Sequence, residues 1–268
     1  MIDEAVKIEI LKRLSNAEQE HEMKILYACE SGSRARGFAS PDSDYDVRFI
    51  YVRRKDWYLS FDVETRRDVI EYPIVDEIDC GGWDLRKALY LFTRTNGALL
   101  EWLVSPVRYI EVGSLRNDLA ELAPERANLI ALCYHYSHMA RNNAREYLFK
   151  DQVKLKKYFY VLRPLLAIRY IEKFKTPPPI EFGKLVDAVA PTALVPRIEE
   201  LLDIKINSAE KALGPPIDEI NKFVDRELNR HGDSFKGQGR PDLEHGETVR
   251  ERLNSIFRNS IKAAEEMR

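Results

Sequence analysis

Cysteine is scarce in this chain of 268 residues, and its three copies, Cys29, Cys80 and Cys133, lie far apart. No two of them have the CxxC spacing of a zinc ribbon, and the set does not resemble the disulfide framework of a small secreted protein. The scarcity of cysteine therefore indicates a protein of the reducing cytoplasm.

Long apolar runs and an excess of one charge are also missing. No uninterrupted apolar stretch approaches the ~18 residues that span a bilayer, so we expect no membrane partner. The acidic, amphipathic start of the chain is unlike a secretory signal peptide. With 42 basic and 44 acidic residues the formal net charge is −2. Such a balance excludes a global basic field, so any contact with nucleic acid requires a local patch.

The most informative segment pairs a Gly-Ser turn at positions 32–33 with two carboxylates, Asp44 and Asp46. Residues 24–29 and 47–52 are rich in β-branched and aromatic side chains and predict a strand on each side. Residues i and i+2 of a strand point to one face, roughly 6.5–7 Å apart, so both carboxylates would reach the same divalent cations. The turn would offer N–H groups and a hydroxyl to a phosphate.

This arrangement resembles the polymerase-beta-like nucleotidyltransferase superfamily, in which a Gly-Ser motif precedes an Asp-x-Asp motif on the next strand. The chain is most similar to the predicted nucleotidyltransferases associated with RNA repair. The likeness appears, in the right order, at residues 30–34, 43–51, 82–87, 101–106 and 156–164. It implies an α/β (α+β) fold with a small mixed sheet in a catalytic domain, residues 1–113. An all-helical C-terminal domain, residues 114–268, would close the active-site cleft.

The resemblance also implies the ligands of two Mg²⁺ ions, with Mn²⁺ as an alternative. Asp44 and Asp46 would bridge the ions, and a third carboxylate on a neighbouring strand would complete one site. Asp79, between two apolar residues near the end of a predicted strand, is the first candidate and also the candidate base. Asp76 and Glu77 remain open, because a slip of one residue turns a side chain to the other face.

The predicted nucleotide-binding residues are Gly32, Ser33, Arg34, Lys156, Tyr160 and Arg163. Ser33 and the neighbouring amides of the turn would bind the β- and γ-phosphates. Arg34 or Arg36 would add positive charge, and Arg34 is the stronger candidate because it adjoins the turn. The last three predicted residues lie at i, i+4 and i+7 of a predicted helix and therefore on one face. The resemblance implies that such a lysine and aromatic meet the triphosphate and the base. A surface charge cluster over tyrosine core residues fits the same pattern.

The implied reaction moves a nucleoside monophosphate from a nucleoside triphosphate to an acceptor hydroxyl and releases pyrophosphate. The acceptor stays open between an RNA end, a protein side chain and a small molecule, and the oligomeric state is also open. One rival is a catalytically silent nucleotide- or partner-binding module, or an antitoxin-like regulator, of the same fold. Another is RNA cleavage through Arg226 and His231, whose spacing resembles that of HEPN ribonucleases. His231 equally suits a helix C-terminus, where a cation is favoured.

Local signals set several boundaries of the predicted elements. A strand over residues 69–80 should end at Gly81-Gly82, and Asp84 should cap the helix that follows. Pro124 should occupy the first turn of a long helix at 125–150. Gly232 is a candidate C′ residue of a helix at 216–230, and the glycine-rich residues 233–242 predict a mobile loop.

Overall fold

The computed structural model describes residues 2–207, 213–231 and 247–267. The elements up to residue 126 are α1 (Glu4–Glu20), β1 (Lys24–Glu30), α2 (Ser33–Arg36), β2 (Tyr45–Val52), α3 (Lys55–Tyr58), β3 (Val69–Glu71), β4 (Ile78–Asp84), α4 (Leu85–Thr93), α5 (Gly97–Leu103), β5 (Arg108–Glu111) and α6 (Leu115–Arg126). The elements that follow are α7 (Leu129–Tyr147), β6 (Val153–Lys154), α8 (Lys157–Phe174), α9 (Phe182–Val189), α10 (Val195–Asn207), β7 (Leu213–Gly214), α11 (Asp218–His231) and α12 (Glu247–Glu266). None of the helices in the described ranges combines the length and apolar character needed to cross a bilayer.

Five strands form a mixed sheet in the order β3-β4-β2-β1-β5. Strand β1 is antiparallel to β2 and to β5, whereas β2 is parallel to β4, and β3 is antiparallel to β4. A separate two-stranded ladder joins β6 and β7 within the otherwise helical part of the chain. The mixed α/β fold with a small sheet and many helices, predicted from the sequence, is confirmed.

The alternation of side chains along β2 decides which of its residues enter the core. Val47, Phe49 and Tyr51 are fully buried in one cluster with Ile10 and Leu14 of α1. Because successive side chains of a strand point to opposite faces, residues 46 and 48 belong to the other face of the sheet. The polar start of that second face, before the buried Ile50, is therefore set by the same alternation that builds the core.

Packing divides the described chain into two compact units. The first comprises Met1–Ala35, Asp44–Ala123 and Leu243–Arg268, and the second comprises Arg36–Ser43 and Pro124–Asp242. This grouping differs from a division at residue 113 in three places. The first unit extends to Ala123. Helix α12 belongs with the first unit, where the Phe257 ring packs edge-on against Tyr58 at a centroid distance of 5.0 Å. The short segment 36–43 belongs with the second.

Segment 36–43 joins the second unit through an aromatic side chain. The Phe38 ring stacks on Phe159 of α8 at 4.9 Å between centroids and meets Phe182 of α9 edge-on at 5.8 Å. All three rings are buried in the core of this unit. Such ring pairs add to the free energy gained by burying their apolar surface. The residues between the Gly-Ser turn and β2 are thus anchored in the second unit.

A buried lysine of α10 holds the same segment. Lys205 is only 6% exposed, and its ammonium group donates to the Ser40 hydroxyl at 2.5 Å and to the Ser43 hydroxyl at 3.3 Å. A buried charge is costly unless it is hydrogen-bonded, so the hydroxyls of both serines stabilise it. These bonds fix the loop that ends one residue before Asp44.

Two predicted boundaries differ from the structure. Gly81-Gly82 does not end a strand, because β4 continues to Asp84. A Cβ on Gly82 would lie 2.2 Å from the Phe49 ring, so this glycine permits close packing instead of a turn. Pro124 lies inside α6 and does not begin α7, which is capped by the Asn128 side chain. The predictions for Gly232 and for residues 233–242 fall outside the described residues.

Asp84 is confirmed as the cap of α4, and its burial makes stability depend on pH. The side chain accepts hydrogen bonds from the Arg86 N–H at 2.8 Å and from the Tyr58 hydroxyl at 2.9 Å. Burial raises the pKa of Asp84 from 3.8 to about 6. The folded state therefore favours the protonated carboxyl. The contribution of this group to the free energy of unfolding is complete below about pH 4 and is lost as the pH rises through about 6.

Replacing Asp84 by asparagine should remove this pH dependence, because the amide keeps an acceptor oxygen but does not ionise. From about pH 4 to pH 7 the free energy of unfolding of wild type should fall by up to ~3 kcal/mol relative to Asp84→Asn. Urea unfolding followed by circular dichroism at each pH measures the difference. The exposed Asp56, on α3 of the same unit, provides the control Asp56→Asn. Parallel curves for wild type and Asp84→Asn would contradict the expectation.

Candidate active site

Two of the predicted carboxylates face each other across parallel strands. The register of β2 and β4 makes Asp46 and Asp79 direct Cα partners. Both side chains are 30% exposed, which leaves them partly open to solvent. Asp79 is the second residue of β4, not near its end as the sequence suggests, because β4 begins at Ile78. The start of β4 therefore supplies the carboxylate that lies opposite Asp46.

The other predicted carboxylates have different surroundings. Asp44 is exposed and precedes the first residue of β2 by one position. Asp76 forms an ion pair with Arg13 of α1 at 2.8 Å. Glu77 has a positive φ of 61° in the turn before β4, and its carbonyl oxygen accepts from the Tyr45 N–H. Of the candidates Asp76, Glu77 and Asp79, only Asp79 is paired in register with Asp46.

Gly32 lies directly against the carboxylate of Asp46. A Cβ built on Gly32 would lie 1.6 Å from Oδ2 of Asp46 and 2.4 Å from its Cγ. The neighbouring Ser31 N–H donates to the Asp46 carbonyl oxygen at 2.9 Å. Only glycine has room at this position. Gly32 of the turn and Asp46 of β2, 14 positions apart in the sequence, therefore meet at van der Waals distance.

A buried carboxylate supports Asp46 from β1. Glu30 is fully buried, and its Oε1 accepts from the Asp46 N–H at 2.7 Å. The Tyr109 hydroxyl of β5 donates to Oε2 at 2.7 Å. Burial raises the pKa of Glu30, although both hydrogen bonds oppose the shift. These contacts fix the backbone at Asp46, one residue beyond the last pair of the β1–β2 ladder.

Arg48 supplies a cation to the same face. Its Nη2 lies 2.6 Å from Oδ2 of Asp79 and 3.8 Å from Oδ1 of Asp46. Its Nη1 donates to the carbonyl oxygens of Val47 and Asp79, each at 2.9 Å. Burial lowers the pKa of Arg48, but the bond to Asp79 and the charges of both aspartates outweigh it and raise the pKa overall. The guanidinium therefore stays charged between the two carboxylates.

Ser33 and Arg34 belong to the four-residue helix α2 that follows the turn. The Arg34 guanidinium carbon lies 3.8 Å from the centroid of the Tyr45 ring. Its Nε donates to the Asp44 carbonyl oxygen at 3.3 Å. Arg34 thus lies beside the start of β2, while Ser33 is half-buried at the first position of α2.

The predicted basic face of α8 is not a single exposed surface. Arg163 is only 3% exposed within the second unit, and its Nε donates to the Ile180 carbonyl oxygen at 3.5 Å. Tyr160 is 36% exposed, and its ring contacts the ammonium group of Lys157 at 4.4 Å. Lys156 occupies the N-cap position of α8. Contact of these residues with a nucleotide stays a prediction.

The Arg226 and His231 pair does not form an open ribonuclease site. The His231 side chain is 4% exposed and lies 3.8 Å from carboxylate oxygens of Glu172 and Glu227. Burial lowers its pKa, which disfavours the charged imidazole that we expect at a helix C-terminus. The Arg226 side chain, in contrast, is 64% exposed. Burial of the histidine favours a packing role over contact with RNA.

The paired carboxylates fit a divalent cation in part. Asp46 and Asp79 are hard oxygen donors in register, and both side chains are partly exposed. Arg48 opposes the binding of a cation there, because its guanidinium already forms an ion pair with Asp79. Within the described ranges, no three His, Cys, Asp or Glu side chains are grouped so that they could hold a metal ion.

Arg48, Glu30 and Tyr109 belong to this site but are not among the residues predicted from the sequence. Arg48 had a usable signal, because it follows Asp46 by two residues and so shares its strand face. Glu30 offered only a weak signal, a carboxylate at the end of an apolar strand. Tyr109 had none, since its contact with Glu30 spans 79 positions and depends on the order of the strands.

The chain matches known proteins over most of its length. A family model described as the RNA repair pathway DNA polymerase beta family matches residues 6–259. The chain is 48% identical over 226 residues to the protein YcgL of Bacillus subtilis (strain 168), a match that covers 84% of this chain and 86% of that protein. It is also similar to the crystal structure of a nucleotidyltransferase-like protein from Exiguobacterium sibiricum 255-15. That match has 12% identity and a TM-score of 0.30, over 84% of this chain and 78% of the other. The matched residues of the family model run from α1 into α12.

Proposed function

Because the chain belongs to the RNA repair pathway DNA polymerase beta family, we propose that it is a Mg²⁺-dependent nucleotidyltransferase. It would move a nucleoside monophosphate from a nucleoside triphosphate to an acceptor hydroxyl and release pyrophosphate. One observation carries the proposal: the Gly32 backbone, the Asp46 carboxylate and the Asp79 carboxylate converge on one face of the sheet. A phosphate-binding turn and paired carboxylates are the parts that this chemistry requires.

Asp46 and Asp79 would hold the cation, and the exposed Asp44, at the residue before β2, would join them only by a rearrangement, since the described side chains do not group three such ligands. A bound Mg²⁺, or Mn²⁺ in its place, would stabilise the negative charge that develops on the phosphoryl oxygens. The amides of Gly32 and Ser33 would bind the triphosphate, with Arg34 adding positive charge. Asp79 is the proposed acceptor of the proton that the attacking hydroxyl loses.

The family description supports an RNA end as the acceptor, and a protein side chain or a small molecule remains a second choice. The net charge of −2 means that an RNA strand would bind through a local patch. Contact of Lys156, Tyr160 and Arg163 with the nucleotide is a proposal that rests on the resemblance alone, and the burial of Arg163 weighs against its part in it. The three free cysteines are all buried, which suits the proposed cytoplasmic location.

Incubating the full chain with a mixture of RNAs, Mg²⁺ and a triphosphate labelled at either the α- or the γ-phosphorus tests the reaction. We expect the α-label to enter the acceptor and the γ-label to appear in pyrophosphate, both only while the cation is present. Transfer of the γ-label to the acceptor would identify a kinase instead. Tight binding of the triphosphate without any turnover would favour the silent module or antitoxin-like regulator.

A further inference from the structure

Arg48 is a cation that the chain itself places between two acidic side chains. Its guanidinium reaches Asp79 at 2.6 Å and Asp46 at 3.8 Å. The three residues share one face of the sheet, because Asp46 and Arg48 are two positions apart on β2 and Asp79 pairs with Asp46. A divalent cation held by both carboxylates would therefore meet this charge.

The guanidinium is held by the backbone as well as by charge. One nitrogen, Nη1, bonds two carbonyl oxygens, those of Val47 and Asp79, while Nη2 bonds the Asp79 carboxylate. The planar fork of arginine can make these bonds together, whereas the single ammonium of lysine cannot reproduce the geometry. The Arg48 side chain is also only 23% exposed, so water screens its charge weakly.

We propose that Arg48 is a positioning residue that fixes the Asp79 carboxylate beside Asp46 and competes with divalent cations for the pair. The inference deepens the proposed function, on which it rests for the identity of the cation. In the absence of metal, Arg48 compensates the repulsion between two carboxylates on adjacent strands. When a cation binds, the charge of Arg48 opposes it, so the site holds its metal more weakly than the same two carboxylates would alone.

The test measures Mn²⁺ binding to the metal-free full chain at low ionic strength, from the loss of the electron paramagnetic resonance signal of free Mn²⁺. Arg48→Met removes the charge and keeps much of the side-chain length, and we expect it to lower the Kd for Mn²⁺ by about 10-fold. Asp79→Asn should raise the Kd. Arg67→Met is the matched control, because Arg67 pairs with Glu71 at an exposed position of the same unit. It should leave the Kd unchanged.

The direction in which the Kd for Mn²⁺ changes distinguishes the proposed role of Arg48 from a merely structural one. Loss of a structural contact would weaken Mn²⁺ binding or leave it unchanged, and either result for a folded Arg48→Met chain overturns the proposal. If the variant does not fold, the wild-type chain still gives an answer through the side-chain NMR signals of its arginines. Adding Mg²⁺ should shift the Arg48 guanidinium signal, and a signal unmoved at saturation overturns the proposal.

The two proposals fail separately. Tighter Mn²⁺ binding by Arg48→Met, together with no nucleotidyl transfer under any condition, would leave the role of Arg48 intact and refute the proposed reaction. Metal-dependent transfer by wild type, together with an unchanged Kd for Mn²⁺ in Arg48→Met, would support the proposed reaction and refute the role of Arg48.

Discussion

Asp46→Asn is expected to reduce nucleotidyl transfer by roughly 10³-fold or more, measured as kcat for label transfer at saturating triphosphate. The substitution preserves the size of the side chain and the backbone bonds to Glu30 and Ser31. It removes the negative charge that faces Asp79 across the ladder, and with it the ability to hold a divalent cation. Because the change is nearly isosteric, the melting temperature should stay close to that of wild type.

The control for this variant is Asp62→Asn in the same unit, where a carboxylate of similar exposure pairs with Arg66 at 2.9 Å. It should retain full activity. An Asp46→Asn chain that transfers label at the wild-type rate would refute the assignment of the metal-binding carboxylates. If Asp46→Asn does not fold, Asp79→Asn takes its place in the test. We expect a similar loss of kcat for that variant.

Gly32→Ala is expected to lower kcat/KM by about 10²-fold, since a shift of about 1 Å at a reacting group costs on that order. The added Cβ would lie 1.6 Å from Oδ2 of Asp46, so the carboxylate must move. Its neighbours restrict this movement, because the Asp46 N–H donates to the Glu30 carboxylate and the Asp46 carbonyl oxygen accepts from the Ser31 N–H. Weaker Mn²⁺ binding should accompany the loss of activity.

Gly183→Ala is the matched control for the glycine substitution. A Cβ on Gly183 meets nothing within 4 Å, and the residue lies near the start of α9 in the second unit. Alanine there should leave transfer unchanged and stabilise the helix by up to ~1 kcal/mol. Full activity in Gly32→Ala would mean that Asp46 tolerates displacement, and the cluster of turn and carboxylates would lose its proposed role.

The motifs predicted the class of fold because they record local geometry. The strand pattern on each side of the Gly-Ser turn, and the spacing from that turn to Asp46, depend only on residues near one another in the chain. The cap at Asp84 is local in the same sense. The error at Gly81-Gly82 arose because glycine serves both turns and close packing, and only the position of Phe49 shows which applies.

Other features of the site cannot be predicted without knowing the order of the strands in the sheet. Asp79 faces Asp46 because β4 lies parallel and next to β2, which no local pattern reveals. The bond from Tyr109 to Glu30 joins β5 to β1 across 79 positions. The alternation of side chains along a strand predicts that Arg48 shares a sheet face with Asp46. It does not predict which carboxylate the guanidinium binds.

The anchoring of Phe38 in the second unit has a consequence for how such a protein can be divided. Along the described residues the polypeptide changes unit four times, since segment 36–43 interrupts the first unit and α12 returns to it. A single cut near residue 113 would leave the helical half without the ring that stacks on Phe159. The other piece would lack α12, whose Phe257 ring packs against Tyr58, so we expect each piece expressed alone to be less stable than the full chain.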